Sequence, residues 1–184
     1  MAIINCDVDG VLNNLMGVAI ETYNKRYGTN YTLKNLTHYH LENCFEPNVA
    51  NKIKEIFTEA DIWNKVKPTN GSQDGLRNLI RNGHDVYLST DNHPNTFGNK
   101  VDWILNYYPF LDKSKIICIK DKSLLRCDVM IEDCFEKLIA GRHYHRILMD
   151  QNWNQSNKDW VYGIHRCYDW DDIVVTVNKI SELE

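Results

Sequence analysis

Apolar positions along this chain follow two rhythms, short unbroken runs and stripes spaced three or four residues apart, and the two alternate. Residues 2 to 6, Ala-Ile-Ile-Asn-Cys, make a first run that reads as a buried strand, because a strand covered on both faces is written as a nearly continuous apolar segment. Leu15, Ala19, Ile20, Tyr23 and Tyr27 then recur at helical spacing and Gly28 supplies a C-cap, which predicts an amphipathic helix. From Tyr31 to Pro68 there is no strand pattern. Val49, Ile53, Ile56, Phe57 and Ala60 trace a second helical face, with Pro47 in its first turn.

Strand and helix patterns resume after residue 68. Leu76, Leu79 and Ile80 mark a helix closed by Gly83, and residues 84–90 form a strand. A helix follows over residues 97–108, stopped by Pro109, then strands at 115–119 and 128–133, a short helix at 135–140 ending at Gly141, a strand at 145–149 and a closing helix at 169–181. Strands alternating with helices predict an α/β fold with a doubly wound parallel sheet. About fifty mostly helical residues lie between the first two strands, too many for a simple connection. They predict a small helical cap over residues 15–68, inserted into a core made of 1–14 and 69–184.

Composition narrows the class without changing this picture. With 184 residues the chain suits one α/β core plus an insertion. Hydrophobic residues at 43% and charged residues at 25% exclude fibrous and disordered classes. No segment approaches the ~20 apolar residues of a membrane span, and the N-terminus goes directly into a strand without a secretory pattern, so a cytoplasmic location is expected. A net charge of −4 gives no basic footprint for polymeric nucleic acid. The six cysteines form no C-x-x-C pair and are expected to be buried free thiols. No repeat or low-complexity stretch is present.

The chemistry sits where strands end. Asp7 and Asp9 leave the first strand at positions i and i+2, followed by Gly10, whose freedom at positive φ permits a sharp turn. Such a pair can put one carboxylate on a phosphorus atom and the other beside its leaving oxygen. The alternative is a turn of solvated acids. Ser89 and Thr90, Lys122, and Glu132 with Asp133 stand at or just beyond later strands, and in a parallel sheet all these ends share one edge. Taken singly, each has an ordinary structural reading as a cap, a surface lysine or a helix start. Together they supply a nucleophile, an acid, a hydroxyl donor, a cation and carboxylates for Mg²⁺, the set that phosphoryl transfer requires. No P-loop is present.

Asp7-Val-Asp9-Gly10-Val11, the strand ending in Thr90, Lys122 and Glu132-Asp133 resemble, in order, the four motifs of the haloacid dehalogenase superfamily. Val86-Tyr-Leu-Ser-Thr90, Lys120-Asp-Lys122-Ser and Leu148-Met-Asp-Gln-Asn-Trp-Asn154 are similar to the 5'(3')-deoxyribonucleotidases of the pyrimidine, cytosolic type C family with its bacterial and phage relatives. The resemblance implies a Rossmann-like core and hydrolysis of nucleoside monophosphates through an aspartyl-phosphate. It makes Asp7 the nucleophile and a Mg²⁺ ligand, and Asp9 the acid and base whose carbonyl also binds the metal. Thr90 and Lys122 become phosphoryl ligands, Asp133 a metal ligand, and Glu132 an outer or water-mediated one.

Two departures stand out: Asp91 follows Thr90 where the eukaryotic enzymes have a small hydroxyl residue, and the acidic pair is Glu-Asp instead of Asp-Asp. Tyr39, His40 and Trp63 are the candidates in the cap to stack on the base, the alternative being that such helical aromatics pack the core, and Asp91 is placed beside the substrate. A small nucleotide is the expected partner, and a homodimer is left open. The alternatives are a phosphatase for another small ester and a non-catalytic binding protein of the same fold, which the presence of Asp7 and Asp9 disfavours.

Overall fold

The computed structural model describes residues 1–141 and 143–182. Six parallel strands form one sheet in the order β3-β2-β1-β4-β5-β6. They are β1 (Ile3–Cys6), β2 (Asp85–Thr90), β3 (Ile116–Cys118), β4 (Val129–Glu132), β5 (His145–Met149) and β6 (Ile164–Cys167). From β1 the chain winds one way through β2 and β3; it then returns to the other side of β1 for β4, β5 and β6. The strand order therefore reverses between β1 and β4, where an open α/β sheet forms a crevice beyond its carboxyl edge. This is the α/β, doubly wound parallel sheet expected from the pattern.

The central strands are the apolar ones. Ile4 and Cys6 on β1 are fully buried, and every residue of β4 is buried. Alternation sends Val129 and Ile131 into the main apolar cluster and Met130 into a smaller one with Phe135, Leu138 and Leu148. Helices cover the sheet: α3 (Ser72–Arg81), α4 (Phe97–Tyr107), α5 (Phe135–Ala140) and α6 (Trp170–Glu182).

Between β1 and α3 lie α1 (Leu15–Tyr27), α2 (Pro47–Ile56) and three 3-10 turns, Leu33–Asn35, Leu41–Asn43 and Ala60–Asn64, with no named strand among the described residues. Gly28 caps α1 at φ 64° and returns its N–H to the carbonyl of Asn24. The two stems of this stretch are tied together. Asn14 N–H donates to the Lys67 carbonyl, Lys67 N–H to Asn14 Oδ1, and Thr69 N–H to the Leu12 carbonyl, beside a bridge from Asn13 to Pro68. Ile53, Ile56 and Trp63 share one apolar cluster with the sheet. Of the expected 69–184 core span, Arg142 and residues 183–184 lie outside the described residues.

Three expectations need correction. The strand β6 had no counterpart in the pattern, because Ile164-His-Arg-Cys167 is a four-residue edge strand with polar residues at its centre. The strand expected at 115–119 is reduced to Ile116–Cys118 at the opposite edge. All six cysteines are free, but Cys118 is exposed and Cys44 is half-buried, since neither stands on a central strand.

Candidate active site

The sheet's reversal point brings the predicted acids together. Asp7 follows β1 directly and Asp133 follows β4, the neighbouring strand. Suitable oxygens of Asp7, Glu132 and Asp133 all lie within 4.8 Å of one another, and all three side chains are buried. Gly10 makes this approach feasible in two ways. Its φ is 77°, and a Cβ there would stand 2.1 Å from Asp133 Oδ2, so any side chain would displace that carboxylate.

Three buried carboxylates need compensation, because unpaired charge in a low dielectric is costly. Lys122 supplies part of it, donating to Asp7 Oδ1 at 2.7 Å and to Glu132 Oε1. Asp7 Oδ1 also accepts the Val8 N–H at 2.7 Å. Glu132 Oε2 accepts the N–H groups of Asp133 and Cys134, so both oxygens of Glu132 are committed. Asp133 Oδ1 is buried with no hydrogen-bond partner among the described residues.

Burial opposes charge on Asp7, but Lys122 and Lys137 outweigh it and hold its carboxyl below the usual range. Burial, Asp7 and Glu132 push Asp133 well above that range. Burial and Asp7 also raise Glu132, against the opposing pull of Lys122. Orphaned oxygen, all-carboxylate donors and charge deficit together fit a hard divalent cation such as Mg²⁺.

Asp9 faces a second lysine. Lys100 on α4 is completely buried, and its Nζ donates to Asp9 Oδ2 at 2.6 Å, to Thr90 Oγ1 at 2.8 Å and to the Asp91 carbonyl at 3.2 Å. Asn13 Nδ2 donates to Asp9 Oδ1 at 3.0 Å, which fixes the other oxygen. The sequence pattern gave no sign of Lys100, since a lysine on an amphipathic helix ordinarily faces solvent. Its spacing offers one signal: it stands ten residues after Thr90, on the helix that follows that strand.

A cleft of about 580 Å³ opens over these groups. Asp7, Asp9, Gly10, Thr90 and Asp133 line one side of it. Leu15, Met16, Tyr39, His40, Leu41 and Phe57, from the segment between β1 and α3, also line it together with the charged pair Glu42 and Lys54, as do Asp91, Asn92 and His93 beyond β2. Lys122 lies beneath Asp7, not on the wall. Lys137 and Trp153 also line the cleft and were not singled out from the sequence.

Trp63 lies elsewhere. It is buried against Trp103, with ring centroids 6.0 Å apart, and borders a separate groove with Asp61, Asn99 and Asp102. Its ring is 5.3 Å from Lys100 Nζ, so it packs behind the lysine that holds Asp9 and does not wall the cleft. Helical spacing of aromatics cannot separate these two situations.

Comparison with known proteins bears on the family and the fold. A 5'(3')-deoxyribonucleotidase from Bacillus subtilis is 26% identical over 115 residues, 61% of this chain; the match spans 63% of that relative's length. The same match is found in the 5'(3')-deoxyribonucleotidase of Bacillus phage SPbeta, at 26% identity over 115 residues. Among solved structures, a haloacid dehalogenase-like protein from Agrobacterium tumefaciens superposes with TM-score 0.65 at 13% identity, covering 97% of this chain and 98% of that one. A haloacid dehalogenase-like family hydrolase from Streptococcus pneumoniae gives TM-score 0.63 at 13% identity, covering 96% and 98%. These two likenesses bear on the fold. The family model for 5' nucleotidase, deoxy (pyrimidine), cytosolic type C protein matches residues 1–180, and the chain belongs to that family.

Proposed function

We propose that this protein is a Mg²⁺-dependent phosphomonoesterase that hydrolyses (deoxy)ribonucleoside 5'(3')-monophosphates through an aspartyl-phosphate on Asp7. The observation that carries the proposal is the pairing of two differently held carboxylates at one strand end. Asp7 is buried and bound through Oδ1 to Lys122, while Asp9 is oriented by Lys100 and Asn13.

In the proposed reaction Asp7 attacks phosphorus, using the oxygen that Lys122 does not hold. The bond from phosphorus to the ester oxygen breaks, and Asp9 gives that oxygen its proton. Asp9 then takes a proton from water as the water attacks the aspartyl-phosphate, which releases inorganic phosphate and restores Asp7. Thr90 donates to a phosphoryl oxygen and Lys122 offsets the negative charge at the nucleophile. Asp7, Asp133 and the carbonyl of Asp9 would hold Mg²⁺, with Glu132 behind them, as its full hydrogen bonding suggests. When bound, the ion neutralises phosphoryl charge and screens the three buried acids.

Residues 15–68 act as a cap in this account, with 1–14 and 69–184 as the core. The tied stems at Asn13–Pro68 support that division, and the cap's apolar wall of Met16, Leu41 and Phe57 is suited to a sugar and base. A cleft of about 580 Å³ is large enough for a nucleoside monophosphate and far too small for a polymer. His40 and Asp91 border it and are proposed to meet the polar edge of the substrate; Trp63 is not. Asp91 also favours a second reading, hydrolysis of another small phosphate ester, because an exposed acid at the rim selects against substrates with further negative charge. Phosphate release measured across the deoxy- and ribonucleoside monophosphates and simple sugar phosphates, with Mg²⁺, tests the assignment. Preference for a nucleotide supports it, and preference for a non-nucleotide ester moves it to the second reading.

A further inference from the structure

Two lysines line the cleft, Lys54, which is paired with Glu42, and Lys137, whose donors have no role in the mechanism above. Lys137 stands on α5, four residues after Asp133, and lysine side chains on a helix lean back toward its N-terminus, here toward the acids. It lines the cleft together with Asp7, Asp9 and Tyr39. Lys122 and Lys100 spend their donors on carboxylates and on Thr90. The ammonium of Lys137 lies 5.3 Å from the centroid of the Tyr39 ring, and among the described residues it makes no hydrogen bond or ion pair.

Its charge is secure. Burial alone would favour the neutral amine, but Asp7, Glu132 and Asp133 raise Lys137 above the usual lysine range. The same cation helps to hold Asp7 low. A charged amine with three free donors, facing a cleft lined by the carboxylates of Asp7, Asp9, Glu42, Asp91 and Asp133, is the group such a site needs before it can accept an anion.

We propose that Lys137 is a substrate-binding residue, its ammonium donating to a phosphoryl oxygen of the phosphomonoester while the Tyr39 ring holds it in place from the cap side. This inference rests on the phosphomonoesterase reading and adds to it a phosphate ligand outside the four motifs. A cation on an aromatic face keeps its N–H donors available, so the ammonium can donate to a phosphate oxygen while it stays against the ring. Tyr39 then senses the phosphate through Lys137, linking the cap loop around residue 39 to the reacting group.

The test compares wild type with Lys137→Met, Lys137→Arg, Tyr39→Phe and Tyr39→Leu in Mg²⁺. It reads kcat and KM for p-nitrophenyl phosphate and a nucleotide, and the calorimetric Kd of inorganic phosphate, with thermal melts to confirm folding. Lys137→Met should weaken phosphate binding by about tenfold and raise both KM values similarly, the scale of one charge-assisted hydrogen bond, with kcat changed much less. Lys137→Arg should recover most of the loss. Tyr39→Phe, which keeps the ring, should hold inorganic phosphate more tightly than Tyr39→Leu, which should follow Lys137→Met part of the way.

Unchanged phosphate affinity in folded Lys137→Met overturns the assignment, as does a fall in kcat alone that arginine does not rescue. If wild type binds phosphate through Lys137 but hydrolyses no ester, the hydrolytic reading fails and the binding role stands. No measurable phosphate affinity in wild type overturns the binding role.

Discussion

Lys100 Nζ lies 2.6 Å from Asp9 Oδ2, and the same ammonium reaches Thr90 Oγ1 at 2.8 Å. One buried lysine thus sets the orientation of both the proposed acid and the proposed phosphoryl donor, although they come from different strand ends. Lys100→Met should lower kcat by roughly 10²-fold or more, the scale of losing a preorganised polar group at a transition state, with a smaller change in KM. Steady-state kinetics on a variant shown to be folded check this. A kcat near wild type would mean that Asp9 is positioned by Asn13 alone.

Trp63 and Phe57 offer a contrast between aromatic residues of one segment. Phe57 borders the cleft and Trp63 packs behind Lys100. Phe57→Ala should raise KM for nucleotides by about tenfold and barely affect p-nitrophenyl phosphate, which has no sugar or base to hold. Trp63→Ala should instead destabilise the fold by about 3–5 kcal/mol, as large core truncations do, and reduce kcat on both substrates. Melting curves and paired kinetics separate the two patterns.

The acid cluster makes a prediction that needs no turnover. Asp133 is held well above its usual range by burial and by Asp7 and Glu132. Mg²⁺ should therefore raise the melting temperature, by an amount equivalent to about 2.7 kcal/mol at a hundred times its Kd. In Asp133→Asn the metal-free protein should be at least as stable as wild type, because a buried like charge is gone, and the Mg²⁺ gain should disappear. EDTA should silence the wild-type enzyme. Equal Mg²⁺ shifts in both proteins would place the ion elsewhere.

Arg26 donates to Glu59 and ties α1 to the approach of the 3-10 turn at Ala60–Asn64. That hydrogen bond is the main cause holding Glu59 below its usual range. A carboxylate with a depressed folded pKa adds stability above the unfolded glutamate value near 4.5, and loses it as pH falls through the folded value. Wild type should therefore melt slightly higher than Glu59→Gln near neutral pH, and the difference should close as pH falls below the unfolded glutamate value and through the lower folded one. The pair is partly exposed, so the difference should also shrink in salt.

What could be read from the sequence depended on how each residue's environment is encoded. The central strands are legible because two covered faces demand unbroken apolar runs, as in Val129-Met-Ile131. Asp7, Asp9, Thr90, Glu132 and Asp133 stand out because they end such runs, and the parallel sheet puts those ends on one edge. β6 is hidden because an edge strand tolerates His165 and Arg166. Lys100 and Lys137 are hidden for another reason: on a helix a lysine that turns inward to meet carboxylates is written like one that faces water. Trp63 shows the same limit, since helical spacing reports burial but not which cavity lies beyond.

Rapid acid quenching followed by peptide mass analysis tests the central claim most directly. During turnover with Mg²⁺, the account predicts a phosphate adduct on the peptide containing Asp7 in wild type, accumulation of that adduct in Asp9→Asn when p-nitrophenyl phosphate supplies a leaving group that needs no acid, and none in Asp7→Asn, which should be folded and inactive. Sustained phosphate release with no adduct in any variant, or turnover by Asp7→Asn close to wild type, would contradict the covalent route through Asp7.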